Sequence, residues 1–153
     1  MEDQIRIRVL NTQLRVQKLD PRATLPHKAY DGDLAYDLYP VEMVSLKSKD
    51  VTLVSTGLAF HFPDGFGGVI KDRGSTPKKV GMFTVSGVVD NGYTGEVFIA
   101  FYNPRGYDII VPAGKACAQI ILTPVVTVEV VEVPDISSVV TQRGANSLGS
   151  SDR

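Results

Sequence analysis

The chain has 153 residues, 43% of them hydrophobic, which suits one compact domain with a sizeable core. Its 16 Lys and Arg against 17 Asp and Glu leave a formal net charge of -1, which argues against binding nucleic acid through general electrostatics. One cysteine, Cys117, excludes an intramolecular disulfide and every multi-cysteine zinc site; no run approaches the ~20 apolar residues of a membrane span, and Met1-Glu2-Asp3-Gln4 lacks a signal peptide's layout, so the expected compartment is the cytoplasm.

In chain order the sequence reads as short strands. Ile5 to Val9 alternates cleanly, Val51 to Val54 and Leu58 to Phe62 follow, and an apolar run leads up to Asp90. Glu96 to Tyr102, Ile109 to Val111, Cys117 to Leu122 and Val125 to Val133 continue the pattern. The 14 glycines and 9 prolines fall mostly between these runs, and no window carries a sustained helical stripe. This predicts an all-β fold, a sandwich or jelly roll. Val125 to Val133 is so rich in β-branched residues that it would be a hazardous edge if left unpaired. From Thr141 onward only Ala145 and Leu148 are apolar, so the boundaries expected are a domain over 1–140 and a flexible tail over 141–153.

The chemistry concentrates in five segments rich in glycine and polar residues. Asp90 stands between an apolar run and the turn signal Asn91-Gly92, a place expected to be a hairpin, where a fixed carboxylate could deprotonate a water. An ordinary Asx turn fits the same residues. Arg73-Gly74-Ser75 offers a planar charged fork, close backbone approach and a hydroxyl, which together suit a phosphate, although a solvated surface turn with Lys78-Lys79 fits as well. Asp37 closes the segment Asp31 to Leu38, Gln119 sits in a buried-looking strand, and Arg143-Gly144 opens the tail.

In order and spacing these five segments resemble the five motifs of the trimeric dUTPase family, over about residues 25–151. The most specific are Gly87-Val88-Val89-Asp90-Asn91-Gly92-Tyr93-Thr94-Gly95-Glu96, similar to G-V-I-D-x-x-Y-x-G-E, and Gly114 to Gln119, similar to G-x-x-x-A-Q. The resemblance implies a jelly-roll-like barrel assembled into a homotrimer with shared active sites, an assembly in which exchange of the Val125 to Val133 strand between subunits would relieve the edge hazard. It implies hydrolysis of dUTP to dUMP and pyrophosphate, which limits uracil in DNA and supplies dUMP for dTTP synthesis.

It also assigns roles. Asp90 would be the general base and Asp37 would orient water or arginine. Arg73, Gly74, Ser75 and Gln119 would hold phosphates; main-chain groups near Gly87 and Val89 would read the uracil edge; Tyr93 would pack under the deoxyribose and exclude a 2′-hydroxyl. In the tail, Arg143 would pair with phosphate, Leu148 would cover the base, and Ser150 or Ser151 would reach the terminal phosphate. Magnesium is the implied cofactor, bound through substrate oxygens and water rather than by a complete protein-built site.

The chain departs from the family pattern in three of these segments, the first of which has Leu34-Ala35 where Ala-Gly is usual. Arg-Gly-Ser replaces the usual Arg-Ser-Gly at Arg73 to Ser75, and Asn146-Ser147-Leu148 stands where Gly-Gly-Phe is usual. A dCTP deaminase, which shares the fold, needs a catalytic glutamate where this chain has Ala100. The alternative function is a catalytically weak nucleotide-binding trimer that acts as a regulatory switch for a protein partner.

Overall fold

The computed structural model describes residues 12–85 and 87–146. Ten strands follow in chain order: β1 (Arg15–Lys18), β2 (Ala35–Leu38), β3 (Val44–Leu46), β4 (Val51–His61), β5 (Phe66–Asp72), β6 (Phe83–Thr84), β7 (Val88–Val89), β8 (Glu96–Tyr102), β9 (Ile109–Val111) and β10 (Ala118–Pro124). All pairings are antiparallel, in sheets of order β1-β4-β8-β6, β2-β10-β5-β7 and β3-β9. The chain is all-β with a jelly-roll-like barrel, as the sequence predicts. The predicted strand Ile5 to Val9 lies outside the described residues. No helix among them is long and apolar enough to cross a membrane.

Strand β8 shows how side-chain alternation builds the core. Val97, Ile99 and Phe101 point inward and are buried, while Phe98, Ala100 and Tyr102 are on the opposite face. Leu38 and Ile120 from the second sheet join them, as do Phe60 and Phe62, whose rings meet edge to face at 5.9 Å.

Three expectations need correction. Val51 to Val54 and Leu58 to Phe62 are not two strands: β4 runs through Ser55-Thr56-Gly57 with a register shift against β8. Gly57 takes φ +65°, and Glu96 bridges the irregularity by accepting from the Gly57 N–H at 3.0 Å and from the Ser55 hydroxyl. The Asn91-Gly92 turn does not close a hairpin, because β7 pairs with β5 and β8 pairs with β4 and β6. It carries the chain from one sheet to another. Lastly, Val125 to Val133 forms no strand; its valines are exposed, Val130 to 93%, and no strand among the described residues pairs with them.

Candidate active site

Sheet order gathers three of the five segments. β2, β10 and β5 are neighbours, and the register places Gln119 between Asp37 on one side and Lys71 on the other. Beyond β5, the Arg73 carbonyl accepts from the Thr76 N–H at 2.9 Å, and the buried Thr76 hydroxyl donates to the Cys117 carbonyl at 3.2 Å. That anchors the Arg73-Gly74-Ser75 turn to the start of β10. A short π-helical turn, Thr76–Val80, follows, with Pro77 near its start, Lys78 and Lys79 in its last turn and Gly81 ending it at φ +81°.

The result is a cleft of about 420 Å³ lined by Asp37, Arg73, Gly74, Ser75 and Gln119, with Lys28 and Asp33 also in its lining. Arg73 is already engaged there. Its Nε donates to Asp37 Oδ1 at 2.8 Å and its Nη1 to the Ala116 carbonyl at 3.2 Å. Gln119 Nε2 donates to the Asp72 carbonyl at 2.7 Å, which leaves the amide oxygen directed elsewhere. The Asp37 N–H in turn donates to the His27 carbonyl at 2.7 Å. Next to the cleft, burial and then the Asp37 charge raise the Tyr39 phenol above its ordinary pKa, so it stays neutral and able to donate.

Asp90, Val89 and Tyr93 lie elsewhere, in a cleft of about 250 Å³ that shares no lining residue with the first. Val89 pairs with Gly68 and Gln119 with Lys71, so the two are three residues apart along β5, roughly 10 Å, and two strand spacings, about 10 Å, across the sheet. Asp90 is exposed, and among the described residues its carboxylate has no hydrogen-bond partner. The Tyr93 N–H donates to the Asp90 carbonyl at 3.2 Å and closes the turn. The Tyr93 hydroxyl donates to the Glu96 carbonyl at 2.8 Å, and its ring lies so close over Gly95 that a Cβ there would sit 2.6 Å from the hydroxyl oxygen. Gly95 is therefore the seat of the tyrosine, a role the motif spelling alone does not reveal.

Gly87 is fixed by its backbone. Its φ is +126°, and a Cβ would meet the Ile70 carbonyl at 2.7 Å. Its own carbonyl accepts from the Ile70 N–H at 2.7 Å, so it is committed to β5. β7 is nevertheless the last strand of its sheet, so its other edge is open for a ligand that pairs as a strand would. Arg143 lines neither cleft; its Nε donates to the Asn146 carbonyl at 3.1 Å. Leu148 and Ser150 lie outside the described residues. Among the described residues no three His, Cys, Asp or Glu side chains gather as metal ligands. Sequence reasoning missed Lys28, which lies outside the five segments and lines the first cleft.

The barrel carries two clefts, the first with an arginine fork and an amide, the second with an exposed carboxylate beside a seated tyrosine. The chain belongs to the dUTPase family, whose family model matches residues 21–152. It is 39% identical over 148 residues to the deoxyuridine 5'-triphosphate nucleotidohydrolase of Mycobacterium leprae, covering 93% of this chain and 96% of the relative. The enzyme of that name from Clostridium novyi is 32% identical over 140 residues, covering 90% and 97%. Among solved structures, a dUTPase of Staphylococcus bacteriophage 80alpha with dUpNHpp superposes with a TM-score of 0.83 at 23% identity, over 91% of this chain and 98% of that one. A dUTPase from phage phi11 of S. aureus, described with a structural Mg(II) ion, gives 0.75 at 23% identity, over 81% and 98%.

Proposed function

We propose that this chain hydrolyses dUTP to dUMP and pyrophosphate, with Asp90 as general base. The observation that carries this reading is the exposed Asp90 carboxylate, unpartnered among the described residues and borne on a turn that the Tyr93 N–H closes, in a chain of this family. Asp90 takes a proton from water as the water's oxygen bonds to the α-phosphorus. The bond from that phosphorus to the α,β-bridging oxygen breaks, and pyrophosphate leaves with the electron pair. Asp37 acts through Arg73 by holding the guanidinium with its remaining donors free for phosphate oxygens. Gly74, Ser75 and the Gln119 amide complete the polar lining.

Selectivity fits the second cleft. The open edge of β7 offers main-chain groups to the uracil, and the Tyr93 ring, pinned between Glu96 and Gly95, supports the deoxyribose and leaves no room for a 2′-hydroxyl. Magnesium fits as an ion carried by substrate phosphates and water, since the donors present are isolated carboxylates; when bound, it would neutralise charge on the triphosphate.

The distance between the clefts supports a homotrimer in which each site combines segments from different copies. The unpaired Val125 to Val133 run suits exchange between subunits. Residues 141–153 form the closing arm in this reading, with Arg143, Leu148 and Ser150 over the bound nucleotide. The test is pyrophosphate release from dUTP, dCTP, dTTP and UTP with magnesium, using Asp90→Asn as control. Cleavage of dUTP alone, lost in the variant, is expected. Binding of dUTP without cleavage would replace hydrolysis with the regulatory switch.

A further inference from the structure

Lys28 lines the first cleft with Gln119 and Arg73, and its ammonium rests 4.5 Å from the centroid of the ring of Tyr36, a residue of β2 outside that lining. We propose that Lys28 binds the phosphate tail and makes the site discriminate triphosphate from shorter tails; this rests on the dUTP reading above. Three observations carry it.

The first is that the lysine is held in place. The carbonyl of the preceding residue, His27, accepts from the Asp37 N–H at 2.7 Å, so the backbone beside Lys28 is tied to β2. The loop beyond is closed by reciprocal contacts, with the Tyr30 N–H donating to Asp33 Oδ2 at 3.0 Å and the Asp33 N–H to the Tyr30 carbonyl at 3.0 Å. A half-buried stem on a tied loop loses less freedom when its ammonium is recruited.

The second observation is that Lys28 has no ion-pair partner among the described residues. The half-buried Tyr36 ring offers the cation only its face, whereas a phosphate oxygen forms a charge-assisted hydrogen bond, so transfer from ring to ligand is favoured.

The third is charge balance. Arg73 is the cleft's other side-chain cation of fixed charge, and Asp37 already offsets part of it. Asp33 lines the cleft too, so Lys28 adds positive charge beside Arg73 to what magnesium would bring to a triphosphate.

Calorimetric titration of wild type, Lys28→Gln and Lys28→Arg with a non-hydrolysable dUTP analogue, dUDP and dUMP in magnesium buffer tests the proposal. Lys28→Gln should weaken the triphosphate analogue about tenfold, the loss of one hydrogen bond to a charged group, and leave dUMP within about twofold. Lys28→Arg should regain most of the loss. An unchanged triphosphate affinity in Lys28→Gln, or an equal loss for dUMP, overturns the role of Lys28 while wild-type binding keeps the parent reading. A wild type that binds none of the three overturns both.

Discussion

Asp37 and Asp90 are both carboxylates at or just past the end of a short strand, yet only one is already occupied. Asp37 receives a guanidinium at 2.8 Å inside a cleft where the neighbouring amide is hydrogen-bonded too. Asp90 is exposed, with its carboxylate unpartnered among the described residues. A carboxylate that holds an arginine contributes to position and stability, while one kept free of partners can take up a water and a proton. In the proposed reaction the first cleft would receive charge and the second would serve proton transfer.

The most severe way to break this contrast is Asp90→Ala, which should cut kcat by about 10²- to 10⁴-fold, the usual span for a general base. Because the carboxylate is exposed and unpartnered, stability should stay within about 0.5 kcal/mol, checked by urea unfolding. Next comes Arg73→Gln. It should weaken triphosphate binding about tenfold or more and cost about 1–2 kcal/mol of stability, since Asp37 loses a charged donor. Adding Asp37→Asn should cost less than the sum of the two single changes, and a double-mutant cycle measures the difference.

Gly95→Ala pushes the Tyr93 ring off its seat without touching Asp90. It should cost about 1 kcal/mol through the hydroxyl's bond to Glu96 and narrow the rate difference between dUTP and UTP, read from kcat/KM for each. The smallest effect belongs to a pair outside both clefts. Hydrogen bonds from Arg22 lower the Asp20 carboxyl from 3.8 to about 2. A lowered folded-state pKa contributes stability above the ordinary value that is lost as pH falls through about 2, so Asp20→Asn should reduce Tm slightly at pH 6 and by less at pH 2.

Strands whose residues obey one simple pattern were readable from sequence. β8 and β9 have the expected limits because their apolar residues alternate or cluster without interruption. β5 escaped because Gly67-Gly68 reads as a turn. In the fold, Gly68 lets the strand approach Ile120 and Phe62, where a Cβ would sit 2.7 and 2.8 Å from their atoms, a long-range requirement that no local window carries. β2 was hidden inside a polar segment because Asp37 serves the cleft rather than the core. Val125 to Val133 has strand composition but lacks a partner edge among the described residues, and composition alone cannot supply one.

The candidate site was legible as a set of residues and illegible as an arrangement. Nothing local to Asp90 or Arg73 tells which sheet edge each will occupy, and Lys28 belongs to no motif. The seat that Gly95 makes for Tyr93 appears only when the ring's direction is known.

The placement of Asp90 and Arg73 in clefts with no residue in common has a genetic consequence. Where each working site draws on different copies, an allele damaged at Asp90 and one damaged at Arg73 fail alone but complement when co-expressed, since a mixed assembly contains sites built only from intact halves. The same arithmetic makes a single defective allele partly dominant, because its product enters assemblies with normal chains and spoils sites to which those chains contribute.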